Sequence, residues 1–260
     1  MDFDIAYANA DFIPNGSKYP AKWKKLAEDF RYSHKNLRLD MSYGEDPSMR
    51  LDLFMPEGDP KGLLVFVHGG YWMAFGRKDW SHLAVGAIGR GYAVALPSYP
   101  LTPNAEIPQI TKSVAAAIDR VATEVGGPIV LAGHSAGGHL VARMNCLDVP
   151  LACRARIKHI MPISPLGDLH PLRHTKMNDT LGLTENTAQS ESPAFATNRA
   201  AIPTTVWVGA DERPAFLSQA RDLAIAWPEA ELVIAPDRHH FDVIDPLADP
   251  DSDMVVTLLG

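Results

Sequence analysis

Cysteine is nearly absent. The 260 residues contain two, Cys146 and Cys153, too few for a disulfide framework. Two reduced thiols are the expectation. No apolar run approaches the roughly 18 residues of a membrane span. The opening Met1-Asp2-Phe3-Asp4-Ile5 has neither the basic nor the apolar region of a secretion signal. A cytoplasmic location follows as the expectation. Positive charge is also scarce: 24 Lys and Arg face 31 Asp and Glu, for a net charge of −7. That balance disfavours nucleic acid and anionic membrane surfaces as partners, leaving a small-molecule substrate. Ten histidines are present, yet no His-Glu-x-x-His or Cys-x-x-Cys spacing exists, so no metal site is expected. Gly137-Gly138 lacks the Walker lysine that a phosphate cradle needs. Nor do the residues choose between a monomer and a homodimer.

What is present is a change of pattern. Leu37–Tyr43 and Met49–Leu53 alternate apolar and polar residues around the turn at 44–48, which predicts an antiparallel hairpin with one face exposed. Six short apolar runs then follow, at Leu63–Val67, Tyr92–Leu96, Ile129–Ala132, Ile157–Ile163, Thr204–Val208 and Glu231–Ile234. Runs this rich in apolar residues suit strands buried on both faces, hence a parallel sheet covered by helices. Between them, Trp80, Leu83, Ala84, Ala87 and Ile88 form one helical stripe, and Ile110, Val114, Ile118, Val121 and Val125 another. A short helix is also compatible with Trp23–Phe30. Neither repeat nor interdomain linker is evident, so residues 1–260 read as one α/β domain. Its sheet is eight-stranded and mostly parallel, with helices on both faces. Residues 165–202 break the alternation after the sixth strand and read as a small lid.

Gly133-His134-Ser135-Ala136-Gly137 follows the run Ile129–Ala132 directly. A Gly-x-Ser-x-Gly pentapeptide between strand and helix is a nucleophile elbow, in which a sharp turn holds the serine out of the sheet. His68-Gly69-Gly70-Tyr71-Trp72 ends another strand 67 residues upstream. Together they point to the α/β-hydrolase plan, whose chain order is Ser, then Asp or Glu, then His. Ser135 is the candidate nucleophile and needs a base within hydrogen-bond reach. Asp211, just past the seventh predicted strand, is the candidate acid. Glu212 is expected in the first turn of the next helix, where negative charge suits the dipole. Asp168 is a further candidate for the acid. His239 and His240 follow the eighth strand, and only one of them can face the serine.

Oxyanion donors are expected from the backbone N–H of Ala136 and from the glycine turn at Gly69 and Gly70. His68 is expected to brace that turn. Tyr71 and Trp72, beside it, are candidate substrate contacts. Phe75, Phe195, Phe216 and Phe241 lie in other segments expected near the mouth.

With these residues placed, the chain resembles the kynurenine formamidase (arylformamidase) branch of the α/β-hydrolases, near the His-Gly-Gly-motif esterases. The resemblance runs through Tyr7-Ala8-Asn9, the block at 68–72, Tyr99-Pro100-Leu101-Thr102-Pro103 and the elbow through Gly138. It continues through Ser164, Asp168-Leu169, Ser192-Pro193, Ala210-Asp211-Glu212 and His240-Phe241. At 164–168 the chain reads Ser-Pro-Leu-Gly-Asp, where the family has a glycine after the serine. The resemblance favours His240 over His239 as base. It implies hydrolysis of N-formyl-L-kynurenine to kynurenine and formate by a serine triad, without a cofactor. A carboxylesterase for short-chain or aryl esters is the alternative that the same machinery allows. A catalytically dead hydrolase fold serving as a ligand receptor is a third, and no triad member is missing to favour it.

Overall fold

A computed structural model describes residues 2–260. The eight strands, Leu37–Ser42 (β1), Arg50–Phe54 (β2), Leu63–Val67 (β3), Ala93–Pro97 (β4), Ile129–His134 (β5), Ile157–Ile163 (β6), Thr204–Gly209 (β7) and Ala230–Ala235 (β8), form one sheet. Their order is β1-β2-β4-β3-β5-β6-β7-β8. β2 runs antiparallel to both β1 and β4, and every other pairing is parallel. The hairpin and the six apolar runs thus fall where the sequence pattern puts them, within one or two residues.

The hairpin departs from expectation on one point. β1 is largely exposed, but β2 is buried on both faces, because β4 flanks it and helices cover it. Asp52, on the face expected to meet solvent, is buried and accepts a 3.0 Å hydrogen bond from Arg77 Nε.

The helices are Phe3–Ala6 (α1), Tyr19–Ser33 (α2), Val85–Gly89 (α3), Ile107–Ala122 (α4), Ala136–Arg143 (α5), Asn178–Leu181 (α6), Glu185–Glu191 (α7), Pro214–Ala226 (α8) and Asp253–Leu259 (α9). Alternation along the central strands divides the core into two layers. Val65, Val67 and Leu131 pack with Ile110, Val114 and Ile118 of α4, Leu140 of α5 and Leu223 of α8. Leu64, Phe66 and Val130 pack with Trp23 of α2, Ala87 of α3 and Met254, Val255 and Leu258 of α9. Each Val, Leu, Ile, Phe or Met side chain among them, once buried, contributes about 1.5–3 kcal/mol relative to its exposed state. α4 starts where Glu106 N–H meets Gln109 Oε1 at 2.9 Å, with a proline in its first turn, where no intrahelical donor is lost.

The stripe at Trp80–Ile88 is only partly α-helical. A 3₁₀ turn at Ser81–Ala84 runs into α3, and Trp80 lies before both, its ring tilted against that of Trp23 at 4.7 Å between centroids. The helix expected at Trp23–Phe30 extends to Tyr19–Ser33. Residues 165–202 hold α6, α7 and two 3₁₀ turns, and bury Leu166, Leu169, Leu172, Leu181 and Leu183 against the domain.

Candidate active site

Ser135 sits between β5 and α5 at φ 56°, ψ −115°, a conformation that L-residues rarely adopt. Two glycines make the turn possible. A Cβ on Gly133 would lie 2.2 Å from the Gly137 carbonyl oxygen, and one on Gly137 would lie 2.0 Å from that of Val67. The strand, elbow and helix therefore pack closer than any side chain allows. Ser135 opens into a cavity of about 490 Å³ that Gly69, Gly70, Tyr71, His134 and His240 also line.

The imidazole facing that cavity belongs to His240. Its Nδ1 lies 2.7 Å from Glu212 Oε2, and both side chains are almost wholly buried. Nδ1 is thus committed to the carboxylate and Nε2 is left toward the cavity. Among the described residues no hydrogen bond yet joins Nε2 to Ser135 Oγ; such contacts often tighten only when substrate is bound. His239 is held elsewhere, 3.1 Å from the Tyr19 hydroxyl through Nε2 and 3.1 Å from Asp242 Oδ1 through Nδ1.

The carboxylate on His240 corrects the sequence reading. Asp211 is exposed, while Glu212 is buried. The strand-end turn decides between them. Asp211 N–H donates to Arg238 O at 2.9 Å and Glu212 N–H to Gly209 O at 3.3 Å, which sends the first side chain to solvent and the second under the sheet edge. The extra methylene of glutamate then spans the distance to His240. Glu212 Oε1 accepts from Gly209 N–H at 2.9 Å and from the Ser164 hydroxyl. Glu212 lies two residues before α8 and takes no part in its first turn. Asp168 lies in the insertion, 2.7 Å from His170 Nδ1, and is no part of this cluster.

The glycine turn after β3 lies against the elbow, for a Cβ on Gly69 would stand 3.1 Å from Ser135 Cβ. Gly70 has φ 108°, and a Cβ there would meet Ala74 O at 2.5 Å. His68 braces the turn: Nδ1 donates to Gly69 O at 2.8 Å and the ring stacks 4.3 Å from Tyr99. Burial lowers the His68 pKa to about 4, so the ring is neutral. His134 Nε2 donates to His240 O at 2.8 Å, tying the elbow to the histidine loop. Burial, followed by the neighbouring His240, holds His134 well below the usual histidine range.

Trp72, expected among the substrate contacts, does not line the cavity. Left-handed backbone at Gly70, Tyr71 and Trp72 (φ 108°, 50° and 57°) curls the chain so that the indole turns inward. It is fully buried, edge-on to His139 at 5.1 Å. Tyr71 does line the cavity, but its hydroxyl is spent on Tyr7 O at 2.6 Å. Of the other aromatic candidates, Phe75 and Phe241 reach the cavity. Phe216 packs behind His240 at 4.2 Å, and Phe195 lies in the insertion against His170.

Sequence reasoning missed the roof. Asp4, Tyr7, Asn9, Ser17, Pro20 and Trp23 close the cavity from above, whereas the insertion contributes only Lys176 and Met177. Asp4 Oδ1 accepts from Lys176 N–H at 2.7 Å, and Gln219 Nε2 donates to the Tyr7 hydroxyl at 2.8 Å. The one signal available was Tyr7-Ala8-Asn9, an unusual polar-aromatic cluster in a segment without strong periodicity.

A family model described as alpha/beta hydrolase fold matches residues 64–227, from β3 to the end of α8. The chain belongs to this family. As an alpha/beta hydrolase it is 28% identical to kynurenine formamidase of Danio rerio over 227 residues, covering 81% of this chain and 77% of that one. To kynurenine formamidase of Drosophila melanogaster it is 26% identical over 259 residues, 92% and 83% of the two chains. A crystal structure from Silicibacter sp. tm1040, provisionally described as a thioesterase, is 53% identical and superposes with a TM-score of 0.98 over 100% of both chains. Esterase B of Lactobacillus rhamnosis shares the fold at 16% identity, with a TM-score of 0.68 over 93% of this hydrolase and 90% of that chain. Among the described residues no helix is long and apolar enough to cross a membrane.

Proposed function

We propose that this hydrolase uses Ser135, His240 and Glu212 as a catalytic triad and removes the formyl group from an N-formyl aryl amine, N-formyl-L-kynurenine being the substrate that the resemblance to kynurenine formamidases implies. The carrying observation is that the serine of a strained elbow and a carboxylate-anchored imidazole open on one compact cavity. Trp23, Phe75, Trp80 and Phe241 give that cavity aromatic walls suited to an aryl group.

The chemistry runs as acyl transfer. Ser135 Oγ attacks the formyl carbon as His240 Nε2 takes its proton, and Glu212 stabilises the imidazolium through Nδ1. Negative charge on the former carbonyl oxygen is met by backbone N–H groups of Ala136 and the Gly69–Gly70 turn, each donor supplying about 2.7–4 kcal/mol. Collapse of the adduct breaks the C–N bond, and His240 returns its proton to the departing amine. Water, deprotonated by His240, then releases formate from the serine. No cofactor enters this scheme.

Cleavage of a short acyl ester or thioester is the second reading, favoured by the likeness to the Silicibacter protein. Comparing kcat/KM on N-formylkynurenine, p-nitrophenyl acetate and a short acyl thioester separates the two. Formamide turnover at least equal to ester and thioester turnover is expected. Negligible formamide turnover beside efficient cleavage of either other substrate overturns the formamidase reading. Loss of labelling by a fluorophosphonate in Ser135→Ala tests the nucleophile.

A further inference from the structure

Ser164 stands at the end of β6, wholly buried, with φ 48°. A left-handed conformation is unfavourable for serine, and glycine would adopt it freely. Its amide is already satisfied by Trp207 O, so the backbone does not call for a hydroxyl there. The hydroxyl has one partner, Glu212 Oε1. We infer that Ser164 is a positioning residue: it clamps the Glu212 carboxylate in the rotamer that faces His240. The inference rests on the triad proposed above.

The donors to Glu212 make the case. A carboxylate accepts hydrogen bonds at two oxygens, and this one is cut off from solvent. Oε2 takes His240 Nδ1–H at 2.7 Å; Oε1 takes Gly209 N–H at 2.9 Å and the Ser164 O–H. Among the described residues no Lys or Arg is paired with it. Gly209 lies three residues away in the same turn and moves with Glu212, so it fixes the turn more than the side chain. Ser164 comes from the neighbouring strand and ties the carboxylate to the sheet. A glutamate has one more rotatable bond than an aspartate, and an acid of that length needs such a tether to hold a fixed direction. Chain order agrees with the role: Ser164 and Glu212 follow adjacent parallel strands, β6 and β7, at the same end of the sheet.

Two substitutions separate the hydroxyl from the backbone. Ser164→Ala removes the hydroxyl and keeps the Cβ at positive φ. Ser164→Gly removes both the hydroxyl and the conformational penalty. Each is measured on p-nitrophenyl acetate beside Ser135→Ala, Glu212→Gln and the Ser164→Ala/Glu212→Gln double variant, with thermal melting as the check on folding. The expected result is a fall in kcat of about 10- to 100-fold in both Ser164 variants with KM within about twofold, the scale of one hydrogen bond to a charged group. Ser164→Gly should melt no lower than Ser164→Ala. In the double variant the loss should be no greater than in Glu212→Gln alone, because both changes act through one carboxylate. Full kcat in Ser164→Gly, or losses that multiply in the double variant, overturns the positioning role. Retained turnover in Ser135→Ala overturns the triad itself. A dead Ser135→Ala beside a fully active Ser164→Ala sinks the clamp alone.

Discussion

Exchanging the charge on two adjacent carboxylates tests which of them serves His240. In Glu212→Gln the shape of the side chain is kept and its charge removed, beneath an imidazole 2.7 Å away that the proposed mechanism makes positive during turnover. Taking the charge centres as about 4 Å apart and an effective dielectric constant of about 20, the lost attraction is about 4 kcal/mol. At 1.36 kcal/mol per decade, kcat/KM should fall about 10³-fold. An amide also offers an N–H where Nδ1–H expects an acceptor, which favours the wrong tautomer, so this figure is a lower bound. Asp211→Asn removes a charge from an exposed side chain and should change kcat/KM less than about threefold. Initial rates on p-nitrophenyl acetate and on N-formylkynurenine, with urea melts to confirm folding, give both numbers. Comparable losses in the two variants, or the larger loss in Asp211→Asn, would refute the assignment.

Other expectations follow from the same geometry. Gly137→Ala should yield no soluble folded protein by circular dichroism, since the new Cβ would sit 2.0 Å from Val67 O in the central strand. Trp72→Ala should lower the unfolding free energy in urea by about 3–5 kcal/mol. Trp72→Phe should leave KM within about twofold, because the indole belongs to the core. Acid should destabilise the fold through buried neutral histidines. Burial lowers His68 and His82 to about 4 and His139 to about 3, against 6.5 when unfolded. Below pH 6.5 the unfolded chain therefore binds protons that the folded one refuses. The stability these sites contribute is complete above 6.5 and drains as pH falls toward 4, about 2 kcal/mol for each by pH 5. Urea midpoints from pH 7 to pH 5 should show it, with a shallower slope in His82→Leu.

Much of this architecture is legible in residue order because strand burial leaves a simple mark. Leu63–Val67 is apolar and buried at every position, Ile157–Ile163 is buried from Ile160 onward, and the ends of both runs coincide with the observed ones. The elbow is legible because its glycines are dictated by backbone contacts that no other residue permits. Choices made by side-chain direction leave no such mark. Asp211 and Glu212 are chemically alike, and only the turn from Gly209 sends one to solvent and the other to His240. Trp72 follows two glycines beside the nucleophile, a position that suggests a pocket wall; three successive positive φ angles put it in the core instead. The roof was hidden for a different reason. Asp4 and Tyr7 gain their meaning from Lys176, Tyr71 and Gln219, between about 60 and 215 residues further on, and no local periodicity records so distant a partnership.

That roof gives the site an unusual place in the history of each molecule. The cavity draws on Asp4 at one end of the sequence and Phe241 at the other, with the glycine turn and the elbow between them. Under the proposed triad, turnover therefore needs both the N-terminal segment and the His240 loop in place around Ser135. Regain of turnover after dilution from urea should trail the recovery of helical signal, making the enzyme its own reporter of completed assembly.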